Sequence, residues 1–226
     1  MRSLGIFTII TLFLLFSREV FAQYDSVKTA DLKLTRQFDD MMAADYDLRF
    51  DSLAPKFKTE LKEALITLPK ARLDSLATRI KVTESENGEL AFYSWDERTG
   101  GSWHTMATYG QFFSEDQQLR VQRIGGNEWD TGALTNVRIN QIYQLDRAGQ
   151  TVYLTLGVGT HGGGHYHAAA QVFAIEGDSL QLCTNCFQTE EYLAVQAPRT
   201  RKIDLTYHPA SMSLTHKEFV FDGNLG

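Results

Sequence analysis

The feature that most constrains this fold is a change of hydrophobic period near residue 80. Before it, apolar side chains recur at steps of three and four. Val27, Ala30, Leu34, Phe38 and Met41 form one set, and Leu53, Phe57, Leu61, Ala64 and Leu68 a second, with Lys, Asp and Glu opposite. Such stripes define amphipathic helices, each of which needs a surface to cover. Asp51 and Ser52 ahead of Pro55 read as caps of the second helix and Pro69 as its end, with Leu73, Leu76 and Ile80 marking a further turn or two. The Met41-Met42 pair reads as a core contact rather than an adaptable groove.

Beyond Ile80 the pattern becomes strands separated by turn chemistry. Asn87-Gly88, between Val82-Thr83-Glu84 and Leu90-Ala91-Phe92-Tyr93, predicts a type I′ hairpin, because both residues tolerate positive φ. Further strands are expected at 103–113, 119–124, 136–146, 151–160, 165–176, 180–187, 203–208, 211–216 and 217–222. Turns fall at Arg147-Ala148-Gly149, Glu176-Gly177-Asp178 and His208-Pro209-Ala210. No helix-length segment separates neighbouring strands, so parallel βαβ units are disfavoured and an antiparallel meander follows, as a sandwich, a barrel or a propeller-like sheet. The expectation is an α+β chain, with a helical segment over 23–80 packed on an antiparallel β domain over 81–226.

Residues 1–22 read as a cleaved signal peptide: Arg2, an apolar run from Ile6 to Phe16, then Val20-Phe21-Ala22 at the cut. Arg18 and Glu19 interrupt the run before it reaches membrane-spanning length. The chain is therefore expected to be exported, to the periplasm or beyond the cell, with no membrane span after cleavage. Loss of Arg2, Arg18 and Glu19 would turn the net charge of -6 into -7. That sign repels nucleic acid and anionic lipid, and the nearest basic cluster, Arg199 to Lys202, reads as a solvated loop. A hydrophobic content of 43% with only four prolines excludes a disordered tail or a collagen-like rod.

Phe92-Tyr93-Ser94-Trp95-Asp96-Glu97-Arg98-Thr99-Gly100-Gly101-Ser102-Trp103 resembles a group of exported bacterial proteins of no known function. In these an aromatic, Ser-Trp-Asp, a short polar loop and Thr-Gly-Gly follow an Asn-Gly or Asp-Gly hairpin. The resemblance implies a β-rich domain behind a helical N-terminus and brings no activity with it. The stretch is also similar to the Asp-box turn of sialidase-type propellers, Ser, any, Asp, any, Gly, any, Thr, Trp. Ser94 and Asp96 match; two extra residues precede Gly100, and Ser102 stands where Thr belongs before Trp103. In that device a short carboxylate accepts backbone N–H groups while the Trp packs beneath.

Thr160-His161-Gly162-Gly163-Gly164-His165-Tyr166-His167 predicts a hairpin with the three glycines as its loop and His161 opposite His165. One face then carries Val152, Leu154, Leu156 and Val158 as an apolar core face. The other carries His161, His165 and His167 beside Gly157 and Gly159, as though over a pocket floor. Three such imidazoles suit a Zn²⁺ ion with a fourth position left for water; they equally suit a solvated or hydrogen-bonded loop, since no carboxylate is locally placed to orient them or act as base. Cys183 and Cys186 are the only cysteines, and in an exported chain they predict a small structural disulfide.

Two functional readings stay open. One is a non-catalytic binding domain for a small molecule, glycan or peptide, with Trp95, Asp96, Trp103 and Tyr109 as contacts and Trp129 and Tyr93 nearby. The other is a zinc hydrolase built on His161, His165 and His167. No nucleophile elbow, helical zinc motif, P-loop or dinucleotide fingerprint is present.

Overall fold

In the computed structural model, which describes residues 25–68, 73–99, 101–124, 134–183, 186–187 and 192–217, the chain falls into two units, Met1–Arg79 and Ile80–Gly226. The expected signal peptide, Pro69, Trp129 and residues 218–222 of the last expected strand lie outside the described residues.

The first unit is helical. Helix α1 spans 25–43 and buries Leu34, Phe38 and Met41, so Met41 is a core contact. A second helical stretch runs through α2 (Tyr46–Leu48), a π-helical turn (Arg49–Leu53) and α3 (Ala54–Thr67), burying Ala54, Phe57, Leu61 and Leu65. Its cap is not Asp51 or Ser52, which sit inside the π-helical turn. Asp45 accepts the Leu48 amide at 2.9 Å, because continuous helical geometry moves the start of the element back six residues or more. Arg49 then donates to the carbonyls of Met41, Met42 and Ala44, giving the exposed end of α1 a cation and hydrogen-bond donors. The Phe38 and Phe57 rings meet edge-on at 5.4 Å. The buried Asp31 accepts the amides of Ser75 and Leu76, both at 2.9 Å, and so tethers the 3-10 turn Leu76–Thr78 to α1.

The second unit is built of antiparallel strands in two sheets and a small hairpin. Sheet one contains β1 (Lys81–Glu84), β2 (Leu90–Asp96), β3 (Met106–Phe113) and β4 (Leu119–Ile124) in sequence order. The β1–β2 hairpin forms, though not as a type I′ turn. Gly88 has φ 67° while Asn87 stays at negative φ, and a five-residue loop is closed by Gly88 N–H to the Ser85 carbonyl and Ser85 N–H to the Leu90 carbonyl.

Sheet two contains β5 (Arg138–Arg147), β6 (Gln150–His161), β7 (His165–Glu176) and β8 (Ser179–Leu182). The edge of β7 away from β6 is shared: Phe173–Glu176 pair with β8, and His165–Gln171 pair with β9 (Tyr192–Pro198), a strand absent from the sequence expectation. Its Ala-Val-Gln-Ala-Pro run has little β-branched or alternating character, so only the free edge of β7 recruits it. The last pair, β10 (Leu205–His208) and β11 (Ser213–His216), is a separate hairpin.

Both faces of sheet two are covered. Leu90, Phe92, Phe112 and Ile124 of sheet one share a core with Val137, Ile139, Tyr153, Ala169, Phe173 and Leu180. On the opposite face Val152, Leu154, Leu156, Ala170, Val172 and Ala174 pack with Tyr207 of β10, whose ring lies 4.8 Å from that of Tyr143. A bulge in β5 reconciles the two faces. Ile139 pairs with Gly157 but Gln141 with Leu156, so the extra residue, Asn140, lets Ile139 and Ile142 point to the same core although three positions separate them. Among the described residues no helix is long and apolar enough to cross a membrane.

Candidate functional site

The loop between β2 and β3 carries the Ser-Trp-Asp to Gly-Gly stretch, and both oxygens of its Asp96 are engaged. Oδ1 accepts the Arg98 amide at 2.7 Å, closing an Asx turn in which Arg98 takes φ 51°. Oδ2 meets His104 Nδ1 at 2.8 Å. A carboxylate only accepts, so Nδ1 bears the hydrogen and Nε2 is the ring nitrogen left for a further hydrogen bond. The backbone of His104 is fixed as well: its N–H donates to Thr160 Oγ1 at 2.7 Å, and its carbonyl accepts Asn136 Nδ2 at 2.9 Å. Asn136 Oδ1 in turn accepts the Met106 amide at 2.8 Å. Groups from both sheets therefore hold one imidazole.

Beside this pair opens a cavity of about 450 Å³, lined by Asp96, His104, Met106, Arg138, Val158, Gly159, Thr160, Tyr166, Arg199, Arg201, Lys202 and Ile203. Its size falls in the range of about 300–1,000 Å³ common for small-molecule sites. Among the described residues four cationic side chains share it with a single carboxylate, already paired to His104. Arg138 pairs with Val158 at the start of β5, ahead of the bulge, and so lies on the Val158 side of the sheet. Arg199 donates from Nη2 to the Ser102 carbonyl and lies 5.1 Å from the Tyr166 ring centroid. Its amide bonds the Gly164 carbonyl at 2.9 Å, tying the glycine loop to the cationic segment. Tyr166 and Val158 are about two-fifths exposed and supply apolar surface. The arrangement can neutralise an organic anion with guanidinium and ammonium groups and hydrogen-bond a hydroxyl at His104 Nε2.

Of the expected ligand contacts, Asp96 lines this cavity. Trp95 and Tyr109 do not: they are 2% and 7% exposed and stack on each other at 5.9 Å with planes 5° apart, so neither ring offers a surface to a ligand. Strand alternation turns both away from the core-facing Phe92 and Phe112. Tyr93, on their side of the sheet, is likewise buried, and burial pushes its phenol up to about 12. Trp103 is half-buried, donates no hydrogen bond from Nε1 among the described residues and stands outside the cavity lining. Ser94 is buried and accepts the Thr108 hydroxyl at 3.0 Å, a packing role.

The β6–β7 register is the one the sequence predicts, with His161 opposite His165 and Val152 opposite Ala174. The imidazole face is nevertheless the inner face of the sheet: Gly157 is a site of close approach to Val137 rather than part of the expected pocket floor, while Gly159, pressed against Asn136 and His167, also lines the cavity. A Cβ on Gly157 would stand 2.5 Å from Val137 Cγ2, and one on Gly159 would strike the Asn136 carbonyl and the His167 ring. His167 is fully buried, its Nε2 lying 3.2 Å from the Asn136 carbonyl, which makes Nε2 the protonated nitrogen. The His161 ring stands perpendicular to it at 6.2 Å. Among the described residues no three His, Cys, Asp or Glu side chains converge on a point that a metal ion could occupy, so His161, His165 and His167 do not assemble the expected zinc set. Val158, expected in the core, instead lines the cavity.

Cys183 and Cys186 are joined in a disulfide with Cα atoms 5.7 Å apart. No family model matches the chain, and no curated protein matches it.

Sequence reasoning missed His104, Asn136, Arg138 and Thr160, and read Arg199, Arg201 and Lys202 as solvated. A usable signal was present in Asp96 and His104, two groups able to pair across a Gly-Gly loop, and in three cations within four residues at 199–202. Nothing local joins the two stretches; β7 pairing with β9 does.

Proposed function

We propose that this chain is an exported, non-catalytic binding domain that takes a small, hydroxylated organic anion, such as a sugar acid, in the cavity around His104. The observation that carries the reading is charge: Arg138, Arg199, Arg201 and Lys202 surround one cavity on a chain whose net charge is -6. A local cationic site on an acidic surface selects for anions that the remainder of the molecule repels. His104 Nε2 and the Asp96 carboxylate answer ligand hydroxyls, while Tyr166 and Val158 cover its carbon skeleton. Export is supported by the signal-like N-terminus, by the disulfide, and by the likeness of the Ser-Trp-Asp to Gly-Gly stretch to exported bacterial proteins.

Titration calorimetry with glucuronate, galacturonate, citrate and glucose tests the reading. Acidic ligands should bind, more weakly as NaCl rises, and glucose should not. The double variant Arg138→Gln/Arg201→Gln should lower the affinity at least tenfold. Binding of glucose as tight as that of the acids, or binding unchanged by the double variant, would sink it.

A further inference from the structure

We propose that the Cys183–Cys186 disulfide is a thiol–disulfide exchange site, opened by a small external thiol such as glutathione and poised for exchange by Arg147. Arg147 Nη1 lies 3.0 Å from Cys183 Sγ and 3.3 Å from Cys186 Sγ. A disulfide sulfur is a weak acceptor that gains little from a cation, whereas a thiolate gains much. The guanidinium has no carboxylate partner among the described residues and is exposed, so its charge is not committed elsewhere; the two cysteines are half-buried at the margin of the apolar cluster around Val152 and Tyr207, partly open to solvent. The pair closes a loop with a sequence separation of only three, the kind of cross-link that constrains an unfolded chain least. This cation therefore favours the reduced form of a bond that contributes little to stability.

The two cysteines also differ in how they are held. The Cys183 amide donates to the Val172 carbonyl at 2.7 Å, which fixes that residue to the end of β8 beside Arg147, and Cys183 Sγ is the nearer sulfur. We assign the leaving thiolate to Cys183 and the attacked sulfur to Cys186. A glutathione thiolate attacks Cys186 Sγ; the protein S–S bond breaks as the mixed disulfide forms, and its electron pair goes to Cys183 Sγ beside the guanidinium. A second glutathione thiolate attacks the glutathione sulfur of the mixed disulfide, releasing glutathione disulfide and the Cys186 thiolate, which takes a proton from water. Two electrons pass from two glutathione thiols to the protein pair.

The test is equilibration of the native full chain with glutathione buffers of graded redox ratio, read by alkylation and mass spectrometry, with circular dichroism to confirm that the fold is kept. The proposal expects reversible opening in the folded protein. Arg147→Gln should shift the equilibrium at least tenfold toward the disulfide and move the pH profile of Cys183 alkylation upward by about one unit, while Arg147→Lys should retain part of both effects. Cys183→Ser should accumulate the glutathione adduct at Cys186. Opening only on unfolding, in the unsubstituted protein, would overturn the proposal whatever the variants do. So would an equilibrium and an alkylation profile that Arg147→Gln leaves unchanged.

Discussion

The His167 imidazole lies against the bare Cα of Gly159 so closely that a Cβ there would stand 2.5 Å from its Nε2. The same Cβ would meet the Asn136 carbonyl, the group to which that nitrogen donates. Gly159→Ala must therefore move a fully buried ring and a backbone segment together, and should cost about 2–3 kcal/mol as overpacking. Urea unfolding reads it; a loss below about 0.5 kcal/mol would show that the contact is soft.

Burial, with a smaller push from the His161 charge and opposed by the Asn136 carbonyl, brings the His167 imidazole down to about 4. Between pH 6.5 and that value the unfolded chain accepts a proton that the folded chain refuses. The contribution to stability is complete above pH 6.5 and drains away as pH falls toward 4, by an amount of order 3 kcal/mol. Unfolding free energies at pH 7 and pH 4.5 should differ less in His167→Gln than in the unsubstituted chain; equal differences would refute the assignment.

Leu154 is buried on the face of sheet two that packs with Tyr207. Truncation to Ala removes apolar contacts and leaves a void between β6 and the β10–β11 hairpin, for an expected loss of about 2–5 kcal/mol. A loss under about 1 kcal/mol would mean that the hairpin does not cover this face in solution.

In the first unit, Asp31 satisfies two amides of a turn more than forty residues away. Asp31→Ala leaves the Ser75 and Leu76 donors without their acceptor and should destabilise by about 1–3 kcal/mol. Asp31→Asn keeps one acceptor oxygen and should recover part of it. Amide exchange at Leu76 is a local readout, expected to quicken in both variants and more in the alanine.

The sequence by itself determined what depends on neighbours along the chain. The helical stripe that buries Leu34, Phe38 and Met41, the glycine loop that sets His161 opposite His165, and the Ala148-Gly149 turn with φ 53° and 85° all follow from period and local φ requirements. Alternation along β6 showed that its two faces differ, but not which second layer would cover each. That choice needed sheet one and the β10–β11 hairpin, and it made Gly157 and Gly159 points where the backbone approaches Val137, Asn136 and His167 too closely for a side chain. Only the tertiary structure decided the cavity as well. Asp96, Arg138 and Arg199 come together because Asn136 and Thr160 pin the β2–β3 loop and β9 adds to the free edge of β7. Contacts of that separation leave no periodic trace in the chain: each is made by a hydrogen bond or a charge whose partner lies some twenty to one hundred residues away.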